Sequence, residues 1–502
     1  MKPSIKIYTF ILVMIVTLYS FTPTIVNADS NEKIQKIDQF VKEQKEISKI
    51  PGISVVIVEK GKTVYEKGFG YADVQSKTPV TSNTLFELGS TSKAFTGLAI
   101  LQLEREGLLK RSDDVQKYIP WLKLKYNGKL QSITINQLLY HTSGIATNTI
   151  SNIPKSNEPN ALELTVKKLL EQPLNRQPGS SFEYATINYD VLGLVIEKVS
   201  KQPFDTYIKQ QILKPTSMND TFVGIHQLKS NKMATGYKIG LMREQKYTPP
   251  IYRGNVPAGY VISNTSDIAK WLKLHLGNSQ IDSIDHKIIQ ESHIPDQSVE
   301  PFDKDTYYAS GWGVMGKEEQ YISHAGENPT FSSYFIMQPN EQLGVAVLSN
   351  MNSSYTTAIG QGVIDLWEGK MVNPIHSDIF RNLDKIISLI CVIVVGLGMF
   401  LSILLLTTLR ETVKKQRIRV SLNIKRTFLL IFHSLSVAII FALIIMFPKL
   451  LPERSNWEFI KVWGPTSITV LFYSVIVLAV IYCLLGLVKI FTKKEKNKDV
   501  EI

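Results

Sequence analysis

The chain has 502 residues, with 56 Lys and Arg against 44 Asp and Glu, for a formal net charge of +12. That excess is not spread evenly: residues 381–502 hold 17 basic and 7 acidic side chains, residues 1–28 hold only Lys2 and Lys6, and residues 29–380 balance at 37 against 37. A neutral central part argues against a nucleic-acid partner, and since the two cysteines, Cys391 and Cys483, both lie beyond it, that part has no cysteine for a disulfide or a thiolate metal site.

Lys2, Lys6, the apolar stretch Ile7 to Phe21 and the small residues Val26-Asn27-Ala28 read as a signal peptide over residues 1–28, cleaved after Ala28. The β-branched run Ile53 to Val58, the turn Gly61-Lys62 and the stretch Thr63 to Tyr71 predict a β-hairpin. Ser90 to Leu109 carries apolar residues at helical spacing through Ala94, Leu98, Leu101 and Leu108. Further helices are expected at Ile135 to Tyr140, Ala161 to Leu170, Tyr189 to Lys198 and Ser266 to Leu276, with an Asn/Ser/Pro-rich loop from Thr147 to Asn160. Ser332 to Gln338 and Gly344 to Asn350 look like buried strands and Ser354 to Trp367 like a helix. Strands at both ends with helices between predict an α+β domain whose terminal strands share one antiparallel sheet, spanning residues 29–378 and joined to the C-terminal part of the chain by a linker at 379–385.

From Ile386 the pattern changes. Residues 386–409, 428–447 and 466–491 are long apolar stretches with at most one terminal charge, Lys489, each near the ~20 residues that cross a bilayer core. The basic residues cluster between the first two stretches (Arg410 to Arg426) and after the third (Lys489 to Lys498). By the positive-inside bias those segments, including the tail 492–502, are cytoplasmic. The loop from Pro448 to Pro465, with Trp457 and Trp463, is then exterior, and so is the domain 29–378. The expectation is a multi-pass protein of the cell membrane with an extracytoplasmic domain.

The chemistry centres on FELGSTSKAFTG, Phe86 to Gly97. Ser90 and Lys93 are three residues apart and share a helical face, so the amine can reach the hydroxyl. At a helix start, backbone N–H groups and the helix dipole favour an oxyanion. A lysine titrating at about 10.4 is useless as a base near neutrality, so Lys93 must be desolvated or placed beside another cation to activate Ser90. The spacing alone is weak, since Ser30-Asn31-Glu32-Lys33 repeats it in a charged stretch.

The context is stronger. FELGSTSKAFTG is followed by ITINQLLYHTSGI (Ile133 to Ile145), PGSSFEYATINYDVLG (Pro178 to Gly193), PAGYVISNTSDIAKWL (Pro257 to Leu272), YASGWGV (Tyr308 to Val314) and SHAGENPTFSS (Ser323 to Ser333). In order and spacing this series resembles the serine β-lactamase-related family, the branch of class C β-lactamases and penicillin-binding proteins, over roughly residues 35–370. The resemblance implies a β-lactamase/transpeptidase-like antiparallel sheet with a helical subdomain. It also implies Ser90 as nucleophile, Lys93 as its base partner and Tyr184 as second general base and proton donor. His324-Ala325-Gly326 resembles the family's cleft-lining K/H-x-G strand, with the backbone N–H groups of Ser90 and Glu327 as oxyanion donors. The family's usual Y-x-N departs here to Tyr184-Ala185-Thr186.

With one such domain outside and three spans after it, the chain looks most like the membrane-bound peptidases that remove an N-acyl-D-asparagine cap from nonribosomal peptide prodrugs, as in the colibactin, zwittermicin and xenocoumacin pathways. Their substrate pocket is similar here at Glu87, Thr186 and Asn328. The partners expected are a peptide or acylated peptide and the membrane, with no metal and no cofactor. The alternative expectation is a D,D-carboxypeptidase or β-lactamase-like hydrolase acting on wall peptides or β-lactams. A β-lactam receptor is disfavoured by the lack of HExxH, and a transporter by spans whose interior offers only His433 as an ionisable side chain apart from tyrosines and cysteines.

Overall fold

The computed structural model describes residues 25–278, 284–316, 320–373, 375–450 and 456–495. Residues 1–24 of the expected leader and 496–502 of the expected tail fall outside that range.

The backbone of the domain is an eight-stranded antiparallel sheet in the order Thr306–Tyr308, Gly313–Met315, Tyr321–Asn328, Phe331–Gln338, Leu343–Ser349, Gly52–Glu59, Lys62–Asp73, Thr78–Pro79. The first long strand pairs with the last, Ile53 opposite Ser349 and Val55 opposite Val347. The unbroken apolar runs in these strands result from burial on both faces. Ile53, Val55, Ile57, Val345 and Val347 pack against the helices Ile25–Ser48 and Tyr355–Trp367 through Ile37, Val41, Ile359 and Val363. The alternate residues Val56, Val58, Ala346 and Leu348 face the helical side, where Phe95, Leu98 and Trp271 continue the core.

That helical side holds Lys93–Arg105, Ile135–Leu139, Ala161–Lys167, Ile187–Ser200 and Thr265–His275. The Ser90 helix differs from its sequence expectation at both ends. Gly89–Ser92 form a 3-10 turn and the α-helix starts at Lys93; within the turn the Thr91 hydroxyl reaches back to Leu88 O and across to Ser333 Oγ, and Ser92 Oγ accepts from Val261 N. It stops at Arg105, before Gly107 at φ 73°, and Leu108 is exposed.

Among the described residues, three helices are long and apolar enough to cross a membrane: Ile379–Val413, Ile424–Leu450 and Thr466–Phe491. The first absorbs residues 379–385, expected as a linker. Asp378 caps it by accepting from Arg381 N at 2.9 Å, so the helix begins at Ile379. A short helix, Trp457–Trp463, lies between the second and third.

Candidate active site

Ser90 sits where the sheet meets the helical side. Gly89 has φ 56°, and a Cβ there would collide with the Glu327 amide nitrogen; a Cβ on Gly326 would collide with the Leu88 carbonyl. Two glycines thus let the turn press flat against the strand Tyr321–Asn328. Thr91 Oγ1 donates to Leu88 O at 2.9 Å and meets Ser333 Oγ at 2.9 Å, while Ser92 Oγ accepts from Val261 N at 3.1 Å. The two hydroxyls that follow Ser90 are therefore spent on holding the turn, and Ser90 is left half-buried at the cleft.

One turn on, Lys93 is 0% exposed. Its Nζ reaches Ser90 Oγ at 3.0 Å, Thr186 Oγ1 at 3.1 Å and Ala258 O at 2.8 Å, and it lies 5.1 Å from the ring centre of Tyr184 and 5.7 Å from that of Tyr189. Burial pulls the ammonium down to about 7, against the opposing charge of Asp190. Asp190 is itself fully buried, and burial pushes its carboxyl well above the ordinary range while the Lys93 charge pulls it back. With its amide oriented to donate, Asn255 meets both Asp190 oxygens, at 2.9 and 3.0 Å. A neutral amine 3.0 Å from a hydroxyl can take its proton.

Tyr184 closes the other side. Burial raises its phenol, opposed by a hydrogen bond with the Ser90 hydroxyl, so at neutral pH the phenol holds its proton. Its ring packs 4.3 Å from His141, a fully buried residue at φ 56°. His141 Nδ1 accepts from Asn188 Nδ2 at 2.9 Å and from Ala185 N at 3.3 Å, which fixes the main chain next to Tyr184. His324 Nδ1 lies 2.6 Å from Ala325 O and so carries the proton; Nε2 accepts from the Tyr308 hydroxyl at 2.9 Å. Burial, followed by the Lys93 charge, holds His324 down at about 3, so it is neutral. Ser90, Tyr184, His324 and Glu327 line one cleft of about 590 Å³, whose remaining walls include Phe182, Phe302, Tyr308 and Met315.

The sequence-derived residues divide into two groups. Ser90, Lys93, Tyr184, His324, Gly326 and Glu327 come together around the Ser90 turn. Glu87, Thr186 and Asn328 do not line that cleft. They gather behind it around the backbone Ala258–Gly259: Asn328 Nδ2 donates to Glu87 Oε2 at 2.7 Å and to Gly259 O at 2.9 Å, while Thr186 shares Lys93 with Ala258. Glu87 instead lines a separate cavity of about 310 Å³ with Tyr252 and Tyr260, and burial pushes its carboxyl up to about 7. Sequence reasoning missed Asp190, Asn255, His141 and Tyr308. An acid inside the apolar run Tyr189–Ile196 was the available signal for Asp190; His141 and Tyr308 sit in motifs quoted for the family without standing out in them, and Asn255 lies just ahead of one.

Residues 37–361 match the protein family described as Beta-lactamase. The chain is 32% identical over 443 residues to Protein flp of Staphylococcus aureus (strain MRSA252), covering 88% of this chain and 87% of that one, a share that residues 1–378 alone cannot supply. It is 32% identical over 330 residues to the Putative penicillin-binding protein PbpX of Bacillus subtilis (strain 168), covering 65% of this chain and 77% of the relative. Among solved structures, the octameric penicillin-binding protein homologue from Pyrococcus abyssi superposes with a TM-score of 0.60 at 28% identity, covering 70% of this chain and 81% of that one. With that fold and those relatives, the chain belongs to the β-lactamase family, among penicillin-binding-protein-like homologues.

Proposed function

We propose that this protein is a membrane-anchored, extracytoplasmic serine peptidase or amidohydrolase that works through an acyl-enzyme on Ser90. The observation that carries this is the contact of 3.0 Å between Ser90 Oγ and the fully buried Lys93 amine. The neutral amine takes the hydroxyl proton as Oγ forms a bond to the substrate carbonyl carbon, and the displaced electron pair goes to the carbonyl oxygen. That oxyanion is met by the backbone N–H groups of Ser90 and Glu327. Tyr184 hands a proton to the leaving nitrogen as the C–N bond breaks, and Lys93 restores it. Water then attacks the ester, giving its proton to the same pair and releasing the acid with Ser90 reprotonated. The outward position is supported by the pairing of Arg417–Arg419 with Thr492–Lys494, which gathers the basic segments at one end of the helices, away from the helix Trp457–Trp463 that touches the hydrolase domain.

The narrower substrate we propose is the N-acyl-D-asparaginyl amide cap of an exported peptide. Asn328 Nδ2 is already shared between Glu87 and Gly259 O, so the pair offers a primary amide the Asn328 carbonyl as acceptor and the second Glu87 oxygen, near its titration point at neutral pH, as donor or acceptor. Membranes carrying the wild-type chain are expected to cleave such an amide, those carrying Ser90→Ala not, and a D-alanyl counterpart to be cleaved far more slowly. Equal cleavage of the two substrates removes the asparaginyl proposal, and turnover by Ser90→Ala removes the nucleophile. A second reading that the names of the penicillin-binding relatives also fit is a wall-directed D,D-carboxypeptidase or β-lactam-reactive hydrolase. Labelling of Ser90 by a fluorescent penicillin together with release of D-alanine from wall peptides would select it.

A further inference from the structure

The stretch 237–259 runs from the membrane segment to the lysine. It opens with the hairpin Tyr237–Gly240 and Arg243–Lys246, whose tip residues Leu241 and Met242 have φ 52° and 64°. Successive left-handed residues turn their amides the same way, and the Asp384 carboxylate of the helix Ile379–Val413 accepts both, at 3.0 and 2.8 Å. Asp384 is 0% exposed. A carboxylate removed from water is costly unless its oxygens are hydrogen-bonded, so this contact is a built joint rather than a loose tether. Beside it, a Cβ on Gly240 would collide with Thr466 Oγ1, and the buried Lys238 donates to Lys461 O at 2.8 Å.

The exterior loop adds a second joint. Asn456 Nδ2 donates to Ser151 O at 3.1 Å and Lys155 pairs with Glu458. Between the two bodies lies a cavity of about 370 Å³, walled by Phe459 and Trp463 from the membrane segment and by Tyr252, Asn255 and Tyr260 from the hydrolase domain. Asn255 grips Asp190, and three residues later Ala258 O holds Lys93.

We propose that the membrane segment is a positioning element of the active site: through the hairpin and the helix Trp457–Trp463 it holds residues 255–259, and so the Ala258 carbonyl, against Lys93. The inference rests on the Ser90 acyl-enzyme reading. The charged, titratable and aromatic groups facing Lys93 are Asp190, His141, His324, Tyr184 and Tyr189. All five belong to the hydrolase domain, so the membrane segment acts on the amine by moving its acceptor.

The test uses the full chain in lipid nanodiscs and the rate at which a fluorophosphonate probe labels Ser90, followed across pH. Asp384→Ala and Gly240→Val are expected to label about tenfold to a hundredfold more slowly at neutral pH, the scale of a displacement of about 1 Å, with the midpoint of the pH profile moved and the final labelled fraction unchanged. Glu411→Ala, which breaks the pairs with Arg417 and Lys494 at the opposite end of the bundle, is expected to label like wild type. Should Asp384→Ala lose the thermal transition of the hydrolase domain, Asp384→Asn, which keeps one acceptor oxygen, decides by the same two readings. Wild-type rate and midpoint in the Asp384 and Gly240 variants overturn the inference. A wild-type chain that never labels overturns the nucleophile reading beneath it.

Discussion

Carrying the wild-type protein from about pH 5 to about pH 9 is expected to raise the rate of Ser90 acylation along a single titration curve. The base must be unprotonated to act, so activity is lost as pH falls and saturates as it rises. An ordinary lysine at 10.5 is neutral near pH 7 in about one molecule in three thousand, whereas Lys93, drawn down to about 7 by burial, is neutral in about half. The gain in competent base is on the order of a thousandfold, or about 4 kcal/mol at about 1.4 kcal/mol per factor of ten. The structural cause is specific: the amine is 0% exposed, and its three partners Ser90 Oγ, Thr186 Oγ1 and Ala258 O are neutral acceptors that do little to offset the lost hydration. Stopped-flow labelling by a fluorophosphonate reads the curve directly, with a midpoint near 7. A rate that still climbs tenfold per unit at about pH 9 would mean a lysine titrating as in water and would refute the reasoning.

Other expectations concern neighbouring groups. Asp190→Asn removes the one negative charge that supports the ammonium, so the midpoint of the same curve should fall to lower pH; thermal melting of the variant checks that the helix Ile187–Ser200 survives, and an unmoved midpoint contradicts the coupling. Gly326→Ala places a Cβ against Leu88 O and Ser333 Oγ and separates the Glu327 amide from the Ser90 turn. Acylation should drop by about a hundredfold or more, the cost of losing one oxyanion donor, without loss of the folded domain by circular dichroism. Trp271→Ala empties the place where its ring stacks on Phe95 at 4.0 Å, both fully buried. Denaturant unfolding of the domain should show a loss of roughly 3–5 kcal/mol.

Much of this arrangement was legible in the residues. The strands Gly52–Glu59 and Leu343–Ser349 announced themselves because burial on both faces demands unbroken Val, Ile and Leu. Ser90 and Lys93 became legible through the motifs around them, not through their spacing, which the decoy at Ser30 shares. What stayed hidden depends on packing between distant segments. The Ser90 turn is fixed by Val261 and Ser333, which bond its Ser92 and Thr91 hydroxyls from segments more than a hundred residues away. Glu87 turns away from Ser90, three residues on, and its oxygen is taken by Asn328, across more than two hundred residues. The junction at 379–385 looked like a linker because Asp378, Arg381 and Asp384 interrupt the apolar pattern, yet Asp378 caps the helix and Asp384 is spent on the hairpin tip.

The most direct measurement is mass-spectrometric peptide mapping of the full chain quenched during turnover of an activated ester. The account predicts an acyl group on the peptide that contains Ser90, present in wild type and absent in Ser90→Ala. Steady hydrolysis of the ester by wild type with that peptide unmodified at every time point, or equal hydrolysis by Ser90→Ala, would contradict it.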